Sequence, residues 1–143
     1  EQTVPGVCFN WEFWSRNIPI RSTYPACRAV LAAKKQYAEA ESEMIHAIQM
    51  AYYQQAKNPA LTETLQQCAK TIGLHEETFA KDLVSKEIEQ QLQQQIQLAR
   101  WMKVFSYPSL CLEYNDALFP IAIDYLNYQS MLDAINRIVR LQK

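Results

Sequence analysis

The chain has 143 residues, with 14 Lys and Arg against 15 Asp and Glu, a formal net charge of −1, and only two glycines. A length near this buries roughly 68–70% of the unfolded surface, so one domain with a real core is affordable without a disulfide staple. The near-neutral balance excludes the basic footprint of a nucleic-acid binder, and no apolar run approaches the ~18 residues of a membrane span.

The first twenty residues, "EQTVPGVCFNWEFWSRNIPI", hold two prolines, a glycine and the cluster Phe9, Trp11, Phe13 and Trp14. They show no sustained period and read as an irregular arm over 1–21 that lays its aromatics on the body, with at most one helical turn. A basic n-region followed by an apolar h-region is missing. The chain begins at Glu1 rather than Met, from which we expect a segment upstream.

Helices follow, because scarce glycine leaves few turns at positive φ. "STYPACRAVLAAKKQ" offers Ser22 or Thr23 as a cap and Pro25 in the first turn, predicting a helix over about 24–37. In "ESEMIHAIQMAYYQQAKNP" the set Met44, Ile45, Ile48, Ala51, Tyr52 and Ala56 has helical spacing, and Asn58–Pro59 stops it. "LTETLQQCAKTIG" starts from a Thr62 cap and ends at Gly73 in the left-handed C′ position. "HEETFAKDLVS" buries Phe79, Ala80, Leu83 and Val84 behind Glu76 and Glu77, which suit a helix start. Ser85 caps "KEIEQQLQQQIQLARWM", whose Ile88, Leu92, Ile96 and Ala99 form a narrow stripe through a glutamine-rich, solvated face.

After Trp101 the period changes. "PSLCLEY" and "LFPIAID" flank "NDA", so Asn115–Asp116 makes a two-residue hairpin turn, and strands this apolar are expected to be buried on both faces. "NYQSMLDAINRIVRLQK" then places Met131, Leu132, Ile135, Ile138 and Val139 on one helical face, with Arg137, Arg140 and Lys143 at its end. A lone hairpin is marginal in water. More strands are wanted, and "GVCFNW" of the arm is a candidate.

Cys8, Cys27, Cys68 and Cys111 contain no C-x-x-C pair and no zinc-ligand spacing. Cys27, with Val30 and Leu31, and Cys68, with Leu65, Ala69 and Ile72, share helical stripes and read as buried thiols. Cys8 and Cys111 keep a second reading, reactivity or an accidental disulfide, and Cys111, on a strand close to Pro108, is the candidate for a reactive thiol. His46 lies on the long helix and His75 opens a helix, each read as a capping or ordinary surface residue, and Arg16, Arg21 and Arg28 pair with carboxylates or, near Tyr24, form an anion site. Trp11, Trp14 and Trp101 read as core or arm anchors. No metal site and no cofactor are indicated. "FSYPSL" stands out because proline at a strand mouth marks a strand start or a special turn.

"FNWEFW", "RSTYPACRAVLAAK" and "MIHAIQMAYYQQAKNP", followed by "SYPSLCLE" and "FPIAIDYL", resemble the DsbA-like (FrnE-like) thioredoxin-fold family over nearly all of residues 9–133. The resemblance implies a mainly α chain: a helical insertion domain over 22–103, and a C-terminal part over 104–143 comprising the closing β-hairpin and last helix of the thioredoxin portion. It implies that Pro108 is the family's cis-proline and that Tyr107 pairs through its backbone with an extended substrate. Function would then be thiol–disulfide exchange on a protein or peptide substrate in the cytoplasm. The family's C-x-x-C segment precedes the insertion and is not in these residues, so we expect a fragment that is inactive alone, with no catalytic residue of its own. A glutathione-dependent thioredoxin-fold relative is one alternative. A non-catalytic helical binding or assembly module, with a homodimer through the hairpin edge, is another.

Overall fold

The computed structural model describes residues 6, 8–18, 20 and 22–141. The readings that fall on Pro5, Pro19, Arg21 and Lys143 lie outside them. In chain order the described residues form α1 (Phe13–Arg16), α2 (Tyr24–Gln36), α3 (Ala40–Tyr53), α4 (Thr62–Thr71), α5 (Glu76–Leu83) and α6 (Lys86–Trp101). An antiparallel hairpin of β1 (Leu110–Tyr114) and β2 (Ala117–Ile121) and a last helix, α7 (Tyr128–Leu141), complete the order. The chain is mainly α, as expected, and divides into two compact units, 1–93 and 94–143.

In the first unit α2 is the hub, packed against α3, α4 and α5. Its Ala29, Ala32 and Ala33 are fully buried, as is Ala40 at the start of α3. Alanine lets helix axes approach closely while keeping the highest helix propensity. Around that seam the bulk comes from Met44, Leu65, Phe79 and Ile88, all fully buried. Lys35, beyond the seam, reaches Asp82 and Glu87 at 2.8 Å each, bridging α2 to α5 and α6.

Several expectations about helix ends are corrected. Thr23 occupies the N-cap of α2 but makes no side-chain cap bond, because its backbone is already helical (φ −93°, ψ −13°) rather than extended. Leu61, extended, is the N-cap of α4, and Thr62 is instead the first helical residue. The α3 helix ends at Tyr53, and Ala56 takes a left-handed φ of 54° before Asn58–Pro59 is reached. Cys27 is exposed, since burial along α2 begins only at Ala29 and Cys27 sits in the first turn. Val84 is exposed because α5 has ended at Leu83.

Other readings agree with the structure. His75 caps α5, its Nδ1 accepting the Thr78 N–H at 3.3 Å, and Ser85 Oγ accepts the Ile88 N–H at 3.2 Å. Gly73 has φ 77°, and two bonds close the α4 terminus: Gly73 N–H to the Lys70 carbonyl and Leu74 N–H to that of Ala69. That is a Schellman motif, with buried Leu74 as its apolar contact.

The arm lies on α3 by polar backbone ties as well as rings. The Asn10 N–H reaches the Tyr53 carbonyl at 2.6 Å, and Asn17 Nδ2 donates to the Ala56 carbonyl at 2.7 Å. Phe13 meets Tyr52 edge-on at 4.7 Å, and Phe9 meets Tyr53 at 5.7 Å. Trp11 and Trp14, expected as anchors, are exposed instead, as is Trp101. The described residues of "GVCFNW" are not strand, and among the described residues the sheet consists of β1 and β2.

Two stability outcomes follow from this packing. Gly73→Ala meets open space but a forbidden φ, so it should lower stability by about 1 kcal/mol, read as a shifted urea midpoint. Phe79→Ala, emptying the fully buried centre, should cost about 3–5 kcal/mol, measured by thermal unfolding.

Candidate functional site

The candidate site lies within the second unit, where α6 gives way to the hairpin. The helix stops at a second Schellman closure: Val104 N–H bonds to the Ala99 carbonyl and Lys103 N–H to that of Arg100, both at 2.9 Å. Lys103 carries the left-handed φ of 57° that glycine carries after α4. The chain emerges into Phe105–Ser109, and the Ser109 hydroxyl donates to the Ser106 carbonyl at 2.6 Å, tightening the loop. The Tyr107–Pro108 peptide bond is cis. Tyr107 is 78% exposed and Phe105 80%, so the loop offers aromatic surface to solvent.

Pro108 lies two residues before β1 rather than at its first position. Asn115 and Asp116 have φ of 50° and 58°, the type I′ turn expected of "ND", and set Tyr114 opposite Ala117. That pair exchanges hydrogen bonds, so the alternation of an antiparallel ladder makes Leu112–Phe119 and Leu110–Ile121 bonded pairs too. Cys111, Glu113, Leu118 and Pro120 therefore turn their backbone groups outward. Pro120 has no N–H to present on the outer edge of β2, whereas Cys111 and Glu113 present theirs on the outer edge of β1. The strands are half-buried, with only Ile121 buried, against the expectation of burial on both faces.

Cys111 pairs across the ladder with Pro120, and its half-buried side chain lines a cleft of about 340 Å³ together with Lys103, Ser106 and Pro108. Thus Pro108 and Cys111 share one concave surface beside the exposed Tyr107. All four cysteines are free thiols. Burial pushes the Cys68 thiol up, against the opposing pull of Lys57. Cys27 is also raised: the residue is exposed, yet partial desolvation of its thiol outweighs the nearby Arg28 charge. Arg16 and Arg28 pair with Glu12 and Glu89 at 2.6 and 3.1 Å, and His46 is an exposed residue of α3. Among the described residues no His, Cys, Asp and Glu group could hold a metal.

One element escaped the sequence reading. Asp124, between β2 and α7, accepts the Leu126 and Asn127 N–H groups at 2.9 Å and the Ser130 hydroxyl at 3.0 Å. The backbone bonds from Leu126 and Asn127, then that of Ser130, hold its carboxyl below the usual range. Asn127 Oδ1 in turn accepts the Gln129 N–H at the start of α7. The signal was present in "DYLNYQS", where Asp and Asn are residues that capture nearby N–H groups.

A sequence model of the thioredoxin family matches residues 4–129, most of the chain. The chain belongs to the thioredoxin family. A search of curated proteins gave no match. Among solved structures, a protein assigned as a protein disulfide isomerase from Nitrosomonas europaea superposes with a TM-score of 0.78 at 21% identity. The match covers 94% of this chain and 66% of that one. The cytosolic disulfide reductase DsbM from Pseudomonas aeruginosa gives 0.70 at 21% identity, covering 99% and 70%. DsbM with GSH gives 0.68 at 20% identity with the same coverage. The chain therefore spans about two thirds of the length of these neighbours, and the DsbA-like thioredoxin resemblance of the sequence holds for family and fold.

Two outcomes test this geometry. Timed alkylation with iodoacetamide, read by peptide mass spectrometry, should modify Cys8 at least about tenfold faster than buried, desolvated Cys68. Asp124 has a depressed folded-state value, so its stabilisation is complete above the unfolded value of about 3.9 and is lost as pH falls through the lower native one. Between pH 5 and about 3 the urea midpoint should accordingly fall further in the native sequence than in Asp124→Asn.

Proposed function

We propose that this chain is the larger part of a thiol–disulfide oxidoreductase that acts on disulfide-containing proteins or peptides in the cytoplasm of a bacterium. The family match carries the reading, and the exposed Tyr107–Pro108 loop beside an open strand edge gives it a place to act. The helices over 22–103 are the insertion, and 104–143 closes the thioredoxin portion. Disulfide exchange needs a thiolate of low pKa beside a resolving cysteine. The four cysteines here are spread over positions 8, 27, 68 and 111, so we assign the redox pair to residues of the natural protein outside these 143.

In this reading an extended substrate segment pairs with the backbone near Tyr107, and the exposed phenol ring covers the segment's apolar side chain. Strand-like pairing supplies affinity through main-chain bonds and selectivity through alternate side chains. Cys111, in the same cleft as Pro108, is a secondary thiol that a mixed disulfide could reach. Two of the neighbours are a disulfide reductase, one solved with GSH, and glutathione as the reductant is consistent with that.

A second reading rests on the outward N–H and C=O groups of Cys111 and Glu113: a non-catalytic module that pairs through the β1 edge with a second copy. Amide exchange separates the two. Protection of Glu113 that grows with protein concentration supports the assembly module, and concentration-independent exchange removes it.

The test of the first reading uses the full natural chain with a fluorescent peptide disulfide and glutathione. Turnover is expected, and the 143 residues alone should give none. Tyr107→Ala in the full chain should raise KM about fivefold or more with kcat little changed, the signature of lost uniform binding. A full chain that contains no cysteine pair, or an unchanged KM, would overturn the assignment.

A further inference from the structure

In the first unit a cleft of about 530 Å³ lies between the arm, α2 and α3. Its walls are rings. Phe13, buried, holds Trp14 edge-on at 5.2 Å and Tyr52 at 4.7 Å, and Tyr52 meets Tyr53 at 4.8 Å. Ile48 and Ala26 form its aliphatic side, and Ser22, Thr23 and Gln49 stand among the lining residues as hydrogen-bonding groups. Thr23 is free to do so because its hydroxyl takes no part in capping α2.

We propose that this cleft binds a neutral aromatic small molecule carrying a hydroxyl or carbonyl group. The volume falls in the range of small-molecule sites, roughly 300–1,000 Å³, where apolar walls carry a few oriented polar groups. Edge-to-face ring packing adds to the apolar burial of such a ligand. The described lining is uncharged and mostly apolar, a wall against which a ligand's ionic group gives up hydration at high cost. Asn58, which also borders it, does not invite a ligand: its Nδ2 donates to the Ile18 carbonyl and its Oδ1 accepts the Ala60 N–H. Trp14, 62% exposed, is the wall with most surface still to bury. Binding here is independent of the redox reading and needs no cysteine.

Isothermal titration of the full-length protein with 1-naphthol tests this, with 1-naphthoate as the anionic counterpart. One saturable site is expected for 1-naphthol, with 1-naphthoate about tenfold weaker or more. Trp14→Leu removes an exposed ring without emptying the core and should weaken 1-naphthol at least about tenfold, while Ala26→Phe fills the cleft and should abolish binding. Trp101→Leu, outside the cleft, should bind as the native sequence does. Absence of saturable heat with 1-naphthol, or unchanged affinity in Trp14→Leu, overturns the site; equal affinity for the two probes overturns the ligand class.

Discussion

Close approach of helices to α2 is the constraint on which the first unit rests. Three elements pack against that one helix, and only a small side chain at Ala29, Ala32 and Ala33 leaves room for them. Any larger residue there would push an axis away and open voids around Met44, Leu65 and Phe79, which have no exposed surface to give up. The seam also sets where charge can go. Lys35 can reach both Asp82 and Glu87 only because α5 and the start of α6 are held against its helix. Exposed bridges of this kind contribute little on their own, so the packing positions the charges rather than the reverse.

The arm depends on the same helix bundle at one remove. Its ties run to the last turn of α3 and the residues just after it, at Tyr53, Ala56 and Asn58. Ala56 is left-handed where an extension of α3 would have been helical, and it is this break that frees its carbonyl for Asn17. Early termination of α3 and attachment of the arm are thus one event. Periodicity sees an apolar residue at Ala56 and prolongs the helix; the carbonyl needed by a distant asparagine is invisible to it.

Legibility in the sequence followed the range of the interaction. Gly73, His75, Ser85 and the Asn115–Asp116 turn act within about four residues, and each was readable from local chemistry. Thr23 and Thr62 were misread because cap chemistry demands a backbone conformation as well as a residue type. Cys27, Val84 and the tryptophans were misread for another reason: a stripe says which face is apolar, not how far along it the neighbours reach. For the candidate loop, a proline ahead of an apolar strand drew attention to Tyr107 and Pro108, and the DsbA-like pattern supplied the family. The register that turns Cys111 and Glu113 outward required the strand pairing itself.

Pro120 gives the hairpin a direction. A two-stranded ribbon ordinarily has two edges that can each recruit another chain, and indefinite lateral growth needs both. Here the β2 side meets a newcomer with a pyrrolidine ring where a donor would be required. On the β2 side Leu118 keeps the one outward donor, whereas β1 presents two, at Cys111 and Glu113. One imino acid thus leaves the two edges of the ribbon unequal in what they can donate.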